Sequence, residues 1–189
     1  MEQVRKTNLP EDQLVEKVIQ IDRINKVVSG GKRMSFRAFL ICGDQHGRVG
    51  IGVGKSKEVP NAIRKAIEKA KKSLSTVNIV DGTLPHQIEG KYGASRVIMK
   101  PARPGTGVIA GGAVRILLES LGLKDVVAKT LGSNNAINAA KAALVALEKC
   151  RILEEDEKFR GRKLSVFFKK RQFVDSEKAS LQETELVSQ

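Results

Sequence analysis

Few residues in this chain could do covalent chemistry, and their spacing argues against it. Gly54-Lys55-Ser56 ends like a Walker A loop, whose backbone amides cradle phosphates while the lysine reaches the terminal ones. That motif needs a glycine where Val49 stands, and Gly50 is one place out of register. The alternation of Val49, Ile51 and Val53 with Gly50, Gly52 and Gly54 also puts the run inside a strand, not in a loop after one. Gly105-Thr106-Gly107-Val108-Ile109-Ala110 fits the dinucleotide fingerprint with alanine last, and Asp125 stands twenty residues past Gly105, where a ribose-binding acid belongs. Against it, Pro101, Arg103 and Pro104 separate the preceding strand from the first glycine, and the repeated βαβ units of a doubly wound sheet are absent. A nonenzymatic use remains: the glycines leave amides open near a helix start and, with Arg103, would bind an RNA phosphate or pack against another protein. Cys42 and Cys150 lie far apart in apolar stretches and read as buried thiols. His46 and His86 belong to no array that could hold zinc or complete a triad. No catalytic residue, metal or cofactor is expected.

Charge is the stronger signal. Across 189 residues there are 34 Lys and Arg against 21 Asp and Glu, a formal net charge of +13, which calls for a polyanionic partner: nucleic acid or an acidic membrane surface. A hydrophobic fraction of 41% supports a packed core in one domain or two small ones. No apolar run approaches the roughly 20 residues that would cross a bilayer, and the N-terminus lacks the apolar core of a signal peptide. The chain is expected to be soluble and to work where it is made, unless a targeting segment has been removed. The excess charge concentrates in residues 22–72. There, thirteen basic residues (among them Lys26, Lys32, Arg33, Arg37, Lys55, Lys57, Arg64, Lys65 and Lys69) face four acids, a net of +9.

The elements that must present this charge follow from periodicity. Residues 18–28, 36–42 and 48–53 read as strands joined by Ser29-Gly30-Gly31 and by residues 43–47, a three-stranded antiparallel meander. In the third strand a period of two leaves one face bare, so something must approach it closely. Pro60 then opens a helix with Ile63, Ala66, Ile67, Ala70 and Leu74 at helical spacing, which is expected to lie across the glycine face. Its other side carries Arg64, Lys65, Lys69, Lys71 and Lys72 with Glu68 the one acid, which favours phosphate contact over a solubilising surface of mixed sign.

Residues 76–80, 87–91, 96–100 and 125–131 read as further strands. A helix over residues 113–121 is closed by Gly122, and a second is capped by Ser133, with Ile137, Ala140, Leu144 and Leu147 as its stripe and Lys149 and Arg151 at its C-terminal end. The expected layout is an extension over 1–13, a basic domain over 14–77, an α/β domain over 78–151, and a basic then acidic tail over 152–189 that includes Phe167 and Phe168.

Aromatics make up 4% of the chain, with no Trp and one Tyr, so base stacking on aromatic platforms lacks its equipment and backbone recognition of folded RNA remains. At this point the chain resembles the family of small-subunit ribosomal protein five of the bacterial and organellar type. The likeness rests on Lys26-Val27-Val28-Ser29-Gly30-Gly31-Lys32, Ser35-Phe36-Arg37-Ala38, Gly47-Arg48-Val49-Gly50, Gly52-Val53-Gly54-Lys55 and Glu58-Val59-Pro60. It continues through residues 104–115 and Lys129-Thr130-Leu131-Gly132-Ser133-Asn134-Asn135, covering about residues 14–150. Tyr92-Gly93-Ala94 and Asn134-Asn135-Ala136 look more like plastid or cyanobacterial members.

The resemblance implies an α+β fold: a double-stranded-RNA-binding-like β-β-β-α domain, then an α/β domain with a left-handed βαβ crossover, a handedness that general rules disfavour. It implies a structural protein of the small ribosomal subunit, in the bacterial cytoplasm or an organelle such as the plastid. Its partners would be rRNA, ribosomal proteins four and eight and the mRNA near where it enters, with an influence on decoding accuracy and no role for a membrane. The hairpin carrying Lys26, Gly30, Gly31, Lys32 and Arg33 corresponds to the loop that reaches rRNA, with Arg37, Lys55, Lys57, Arg64, Lys65 and Lys69 as further rRNA contacts. Arg103, Gly105, Thr106, Gly107, Gly111, Gly112, Arg115, Ser133, Asn134 and Asn135 are expected to touch rRNA or a partner protein. Two departures from the family stand out: Ser29 replaces a basic residue common before the glycine pair, and the tail beyond Arg151 is long. The rival readings are a free-standing double-stranded-RNA binder and a nucleotide-dependent oxidoreductase.

Overall fold

The computed structural model describes residues 14–77, 79 and 82–150, and the expected extension, Arg151 and the tail lie outside them. The first sheet runs β1 (Val15–Val28), β2 (Gly31–Gly43), β3 (Arg48–Ser56) and β4 (Leu74–Thr76), all antiparallel, with α1 (Val59–Lys72) between β3 and β4. The expected meander therefore has a fourth strand. Its residues come directly off α1 and pair with Arg48, Val49 and Gly50, whereas the sequence placed a strand over 76–80 in the next domain. Ser73 makes the reversal: its N–H donates to the carbonyls of Ala70 and Lys69, and its Oγ donates to Ile51 O at 3.0 Å.

The alternation of β2 and β3 splits the core. Ala38, Leu40 and Cys42 face α1 together with the glycine face of β3, and a Cβ added at Gly50, Gly52 or Gly54 would lie 2.2, 2.0 or 2.0 Å from the carbonyl oxygens of Ala70, Ala66 and Ala62. At that separation only methyl groups fit beneath the helix. The buried row is thus Ala62, Ala66 and Ala70, while Ile63 and Ile67 sit half-buried on its flank and Leu74 belongs to β4. Phe39, Ile41 and Val49 point the other way, into the main core with Val97, Met99, Leu117, Leu118 and Leu121.

The second sheet is built from β5 (Ile88–Tyr92), β6 (Ser95–Pro101), β7 (Val108–Ile109) and β8 (Val126–Gly132), in the order β5-β6-β8-β7. The helix α2 (Gly112–Leu121) crosses from β7 to its parallel neighbour β8, and α3 (Ala136–Glu148) follows. The two-residue β7 falls where the sequence suggested no element. Asn135, not Ser133, caps α3, its Oδ1 accepting from the Ile137 N–H at 3.1 Å. Ser133 is held at the strand end instead: its N–H donates to Ala94 O and its carbonyl accepts from Ser95 Oγ. The buried face of α3 is mainly alanine, with Ile137 and Leu144 half-buried, because Gly90 of β5 lies under it and a Cβ there would meet Ala142 O at 2.2 Å.

Where the β2–β3 turn meets the end of α2, the two halves touch backbone to backbone. Gln45 N–H donates to Ser120 O (3.0 Å) and Gly47 N–H to Leu121 O (3.1 Å), and a Cβ at Gly122 would lie 2.1 Å from Gln45 O. Asp44 holds the turn. Its side chain, 4% exposed, accepts from the His46 and Arg48 N–H groups and from Arg48 Nε at 2.7 Å. Burial works to raise the Asp44 pKa, but these hydrogen bonds outweigh it and hold the carboxyl below its usual range. Cys42 and Cys150 are buried free thiols, and burial first, then the nearby Glu16 charge, pushes Cys42 up to about 11, so it stays protonated and inert.

Candidate nucleic-acid interface

Two cationic features grow out of the first sheet. Beyond the rung that pairs Phe36 with Ser56, β1 and β2 continue alone for five residues of β2, a projection of about 17 Å at strand rise. On this arm Lys26 stands directly opposite Arg33, and Lys32 opposite Val27, with every residue from Asn25 to Val27 and from Ser29 to Met34 exposed. Like charges on one rung repel and the next rung on the same face, Ile24 with Ser35, carries no acid, so an anion between them relieves the pair. Gly31, at φ +134°, makes the reversal between the strands. Arg37 is placed differently. Its guanidinium grips Asp22 through Nη2 (2.6 Å) and Nε (3.1 Å), and that hydrogen bond is the main reason the Asp22 carboxyl lies below its usual range.

The second feature is a groove of about 480 Å³ lined by Val53, Lys55, Lys65, Glu68, Lys69 and Lys72. It exists because β4 covers only the start of β3, which leaves the edge from Ile51 to Ser56 without a strand partner in the sheet. Helical geometry sends Lys65, Lys69 and Lys72 to this flank, a spread of about 10 Å along the axis. Lys71 goes to the opposite flank and pairs with Glu16 of β1 at 3.4 Å, with Arg64 exposed on the outer side. Lys57 is exposed in the turn before α1, between hairpin and groove. Of the basic residues named from sequence as rRNA contacts, Lys26, Lys32 and Arg33 form a hairpin set and Lys55, Lys65 and Lys69 a groove set, with Arg37, Lys57 and Arg64 outside both. Lys72, which the sequence placed on the phosphate-contact side of the helix but not among the named rRNA contacts, completes the groove, and its spacing from Lys65 and Lys69 was the available signal.

The glycine-lysine-serine run lies inside β3 with Gly54 pressed under α1, which is no place for a nucleotide's phosphates. The acid after the second glycine motif has another task too: Asp125 Oδ1 accepts from the Gly107 N–H at 2.8 Å and closes the loop on itself. Arg103, Gly105 and Thr106 are exposed on that loop. Gly111 and Gly112 sit at the start of α2, whose N-cap offers no side-chain acceptor, and share a cavity of about 210 Å³ with Asn134, Thr130 and the first residues of α3. Ser133 is half-buried, Asn135 is exposed, and Arg115 is exposed with Glu119 as its partner at 2.9 Å. Glu119 also takes Lys17 of β1 at 3.0 Å, and the hydrogen bonds from Arg115 and then Lys17 lower its pKa. Among the described residues no three His, Cys, Asp or Glu side chains gather as metal ligands.

Residues 14–78 match the family model described as ribosomal protein S5, N-terminal domain, and residues 90–160 match that of the ribosomal protein S5 C-terminal domain. The chain is also 48% identical, over 152 residues, to the small ribosomal subunit protein uS5 of Syntrophobacter fumaroxidans, an alignment covering 80% of this chain and 92% of that one.

Proposed function

Because the chain belongs to the ribosomal protein S5 family, and is thereby a structural constituent of the small ribosomal subunit, we propose that it is held there through the phosphates of rRNA. The residues assigned to that contact are Lys26, Lys32 and Arg33 on the hairpin and Lys55, Lys57, Lys65, Lys69 and Lys72 about the groove. Arg64 adds charge from the outer side of α1. The observation that carries this reading is the groove itself: four lysines and one acid converge on an open strand edge, an arrangement whose mutual repulsion a polyphosphate relieves. No bond is made or broken in this role.

The surface formed by Arg103, the loop over 105–112, Arg115 and Asn134 with Asn135 is assigned to rRNA or to a neighbouring ribosomal protein, four or eight. Its position beside the path by which mRNA enters is what the family resemblance implies, and its influence on accuracy follows if its contacts exist in only one of two arrangements of the subunit, so that changing them shifts that equilibrium. The domains assigned to these tasks are residues 14–77 and 78–151. Sedimentation tests the core of the proposal: the chain travels with small subunits through a high-salt wash and is released when rRNA is cut. A free-standing double-stranded-RNA binder leaves at the wash, and cofactor retained in equilibrium dialysis would instead support an oxidoreductase. Substitutions over 105–115 alter miscoding, and unchanged miscoding refutes the accuracy assignment.

A further inference from the structure

β1 is the outer strand of the first sheet, and among the described residues nothing pairs with its free edge. A register shift between Val18 and Gln20 interrupts its ladder with β2, so residues 20–28 form one unbroken stretch of open edge, about 30 Å long. Its side chains divide by face. Ile21, Arg23, Asn25 and Val27 lie on the face of Ala38, which looks toward α1, and Asp22, Ile24 and Lys26 lie on the other. Ile21 is 45% exposed and Val27 74%. Edge strands commonly shield themselves with charge, but here the charges are placed symmetrically. Asp22 and Lys26 stand equally far on either side of Ile24, and so do Ile21 and Val27.

We propose that this edge docks a second copy of the chain, the two β1 strands running antiparallel about a two-fold axis at Ile24. In that register each Asp22 meets a Lys26, each Ile21 a Val27 and each Arg23 an Asn25, while Ile24 meets its own copy. The backbone agrees. Alternate residues of β1 turn their N–H and C=O away from β2, and this register matches odd with odd and even with even, so outward groups meet outward groups. Sliding one strand by two residues sets Arg23 against Arg23 in one direction, and in the other leaves Asp22 and Lys26 opposite Val28 and Ile24, so charge favours the register centred on Ile24. Asp22 already takes Arg37 through Oδ2, and a carboxylate has room for a further donor. Lys26, opposed by Arg33 within its own hairpin, gains the acid it lacks. Antiparallel pairing also sends β3 and α1 of the two copies to opposite ends of the ribbon, which keeps the lysines of the two grooves apart. The contact is thin. A strip about 30 Å long and about 10 Å deep gives roughly 300 Å² per copy, well under the ~800 Å² of a stable complex, so backbone hydrogen bonds hold the pair and it dissociates on dilution. Lys26 cannot serve a phosphate and an Asp22 together, so the paired form belongs to the chain outside the subunit, and to that extent it rests on the hairpin contact proposed above.

Sedimentation velocity of the full chain over a concentration series tests this, and a dimer that falls apart on dilution is expected. Lys26→Asp sets acid against acid at both pairs and should weaken the dimer roughly tenfold, although it lowers the net charge, and an equimolar mixture of Lys26→Asp with Asp22→Lys should restore it within about threefold. A chain that is monomeric throughout, or a mixture that associates no more tightly than its components, overturns the proposal. Register has its own readout. Ile24→Cys places two thiols at the two-fold axis with Cα atoms about 4.5–5.5 Å apart, inside disulfide range, so oxidised glutathione is expected to link the copies there, Cys42 and Cys150 being buried. Faster linkage of Arg23→Cys or Asn25→Cys than of Ile24→Cys overturns the proposal. An rRNA fragment that binds the chain while the dimer persists refutes the hairpin contact and leaves the pairing standing.

Discussion

Replacing Gly52 with alanine tests the packing that presents the groove. The added methyl would sit 2.0 Å from Ala66 O, 2.9 Å from that residue's carbonyl carbon and 3.0 Å from Ala70 Cβ. Ordinary carbon contacts begin near 3.5 Å, so α1 must withdraw by roughly 1.5 Å, and the obstacle is backbone that cannot rotate aside. Overpacking of this kind costs about 1–3 kcal/mol, and opening the neighbouring contacts at Gly50 and Gly54 pushes the value toward the upper end. For a chain of this length each kcal/mol lowers the melting temperature by about 2–4 °C, so a loss of roughly 6–12 °C is expected. Gly30→Ala is the control: nothing lies within 4 Å of its added methyl, and its φ is not left-handed, so the change stays within about 0.5 kcal/mol. Calorimetric melting of the two variants beside the parent is the assay. If Gly52→Ala melts within 2 °C of the parent, α1 does not rest on the glycine row and the positions argued for Lys65, Lys69 and Lys72 fall with it.

Neutralising Lys65, Lys69 and Lys72 to Gln should flatten the salt dependence of binding to helical rRNA by roughly two to three log units per tenfold salt, and an unchanged slope in a titration series removes them from the interface. Gly122→Ala combines a left-handed φ of +99° with a methyl 2.1 Å from Gln45 O, so urea unfolding should show a loss of about 2 kcal/mol or more, and a loss below 0.5 would contradict the close joint. Asp44→Asn removes a carboxylate whose folded pKa is depressed. The native contribution is present above the unfolded value near 3.8 and is lost as pH falls through the lower folded one. The variant should be less stable at neutral pH by roughly 1–3 kcal/mol and lose less on acidification below about pH 4, and parallel stability curves for the two proteins would refute the assignment.

Strict alternation in β3 announced a bare face and α1's spacing announced the helix that covers it, because both signals are local. The basic hairpin was legible for the same reason. What escaped notice depended on distance. The three residues of β4 and the two of β7 are too short for any pattern and exist only because a partner strand lies beside them. Asp125 mimicked a ribose-binding acid until the fold showed its oxygen on the Gly107 amide. The partition of α1's cations into Lys65, Lys69 and Lys72 on one flank and Lys71 on the other required knowing where β1 and the open edge of β3 run. Gly43 and Gly122 carry no local sign that each lies against the other half of the molecule.

The joint between the β2–β3 turn and the end of α2 has a mechanical consequence. Peptide groups in direct contact, tied by two hydrogen bonds and the Lys17–Glu119 pair, leave no slack for bending at that seam. A torque on the hairpin arm therefore turns the loop over 105–112 with it, as one end of a crowbar moves the other. With the hairpin and the loop gripped as proposed, give between the two would have to come from the surroundings.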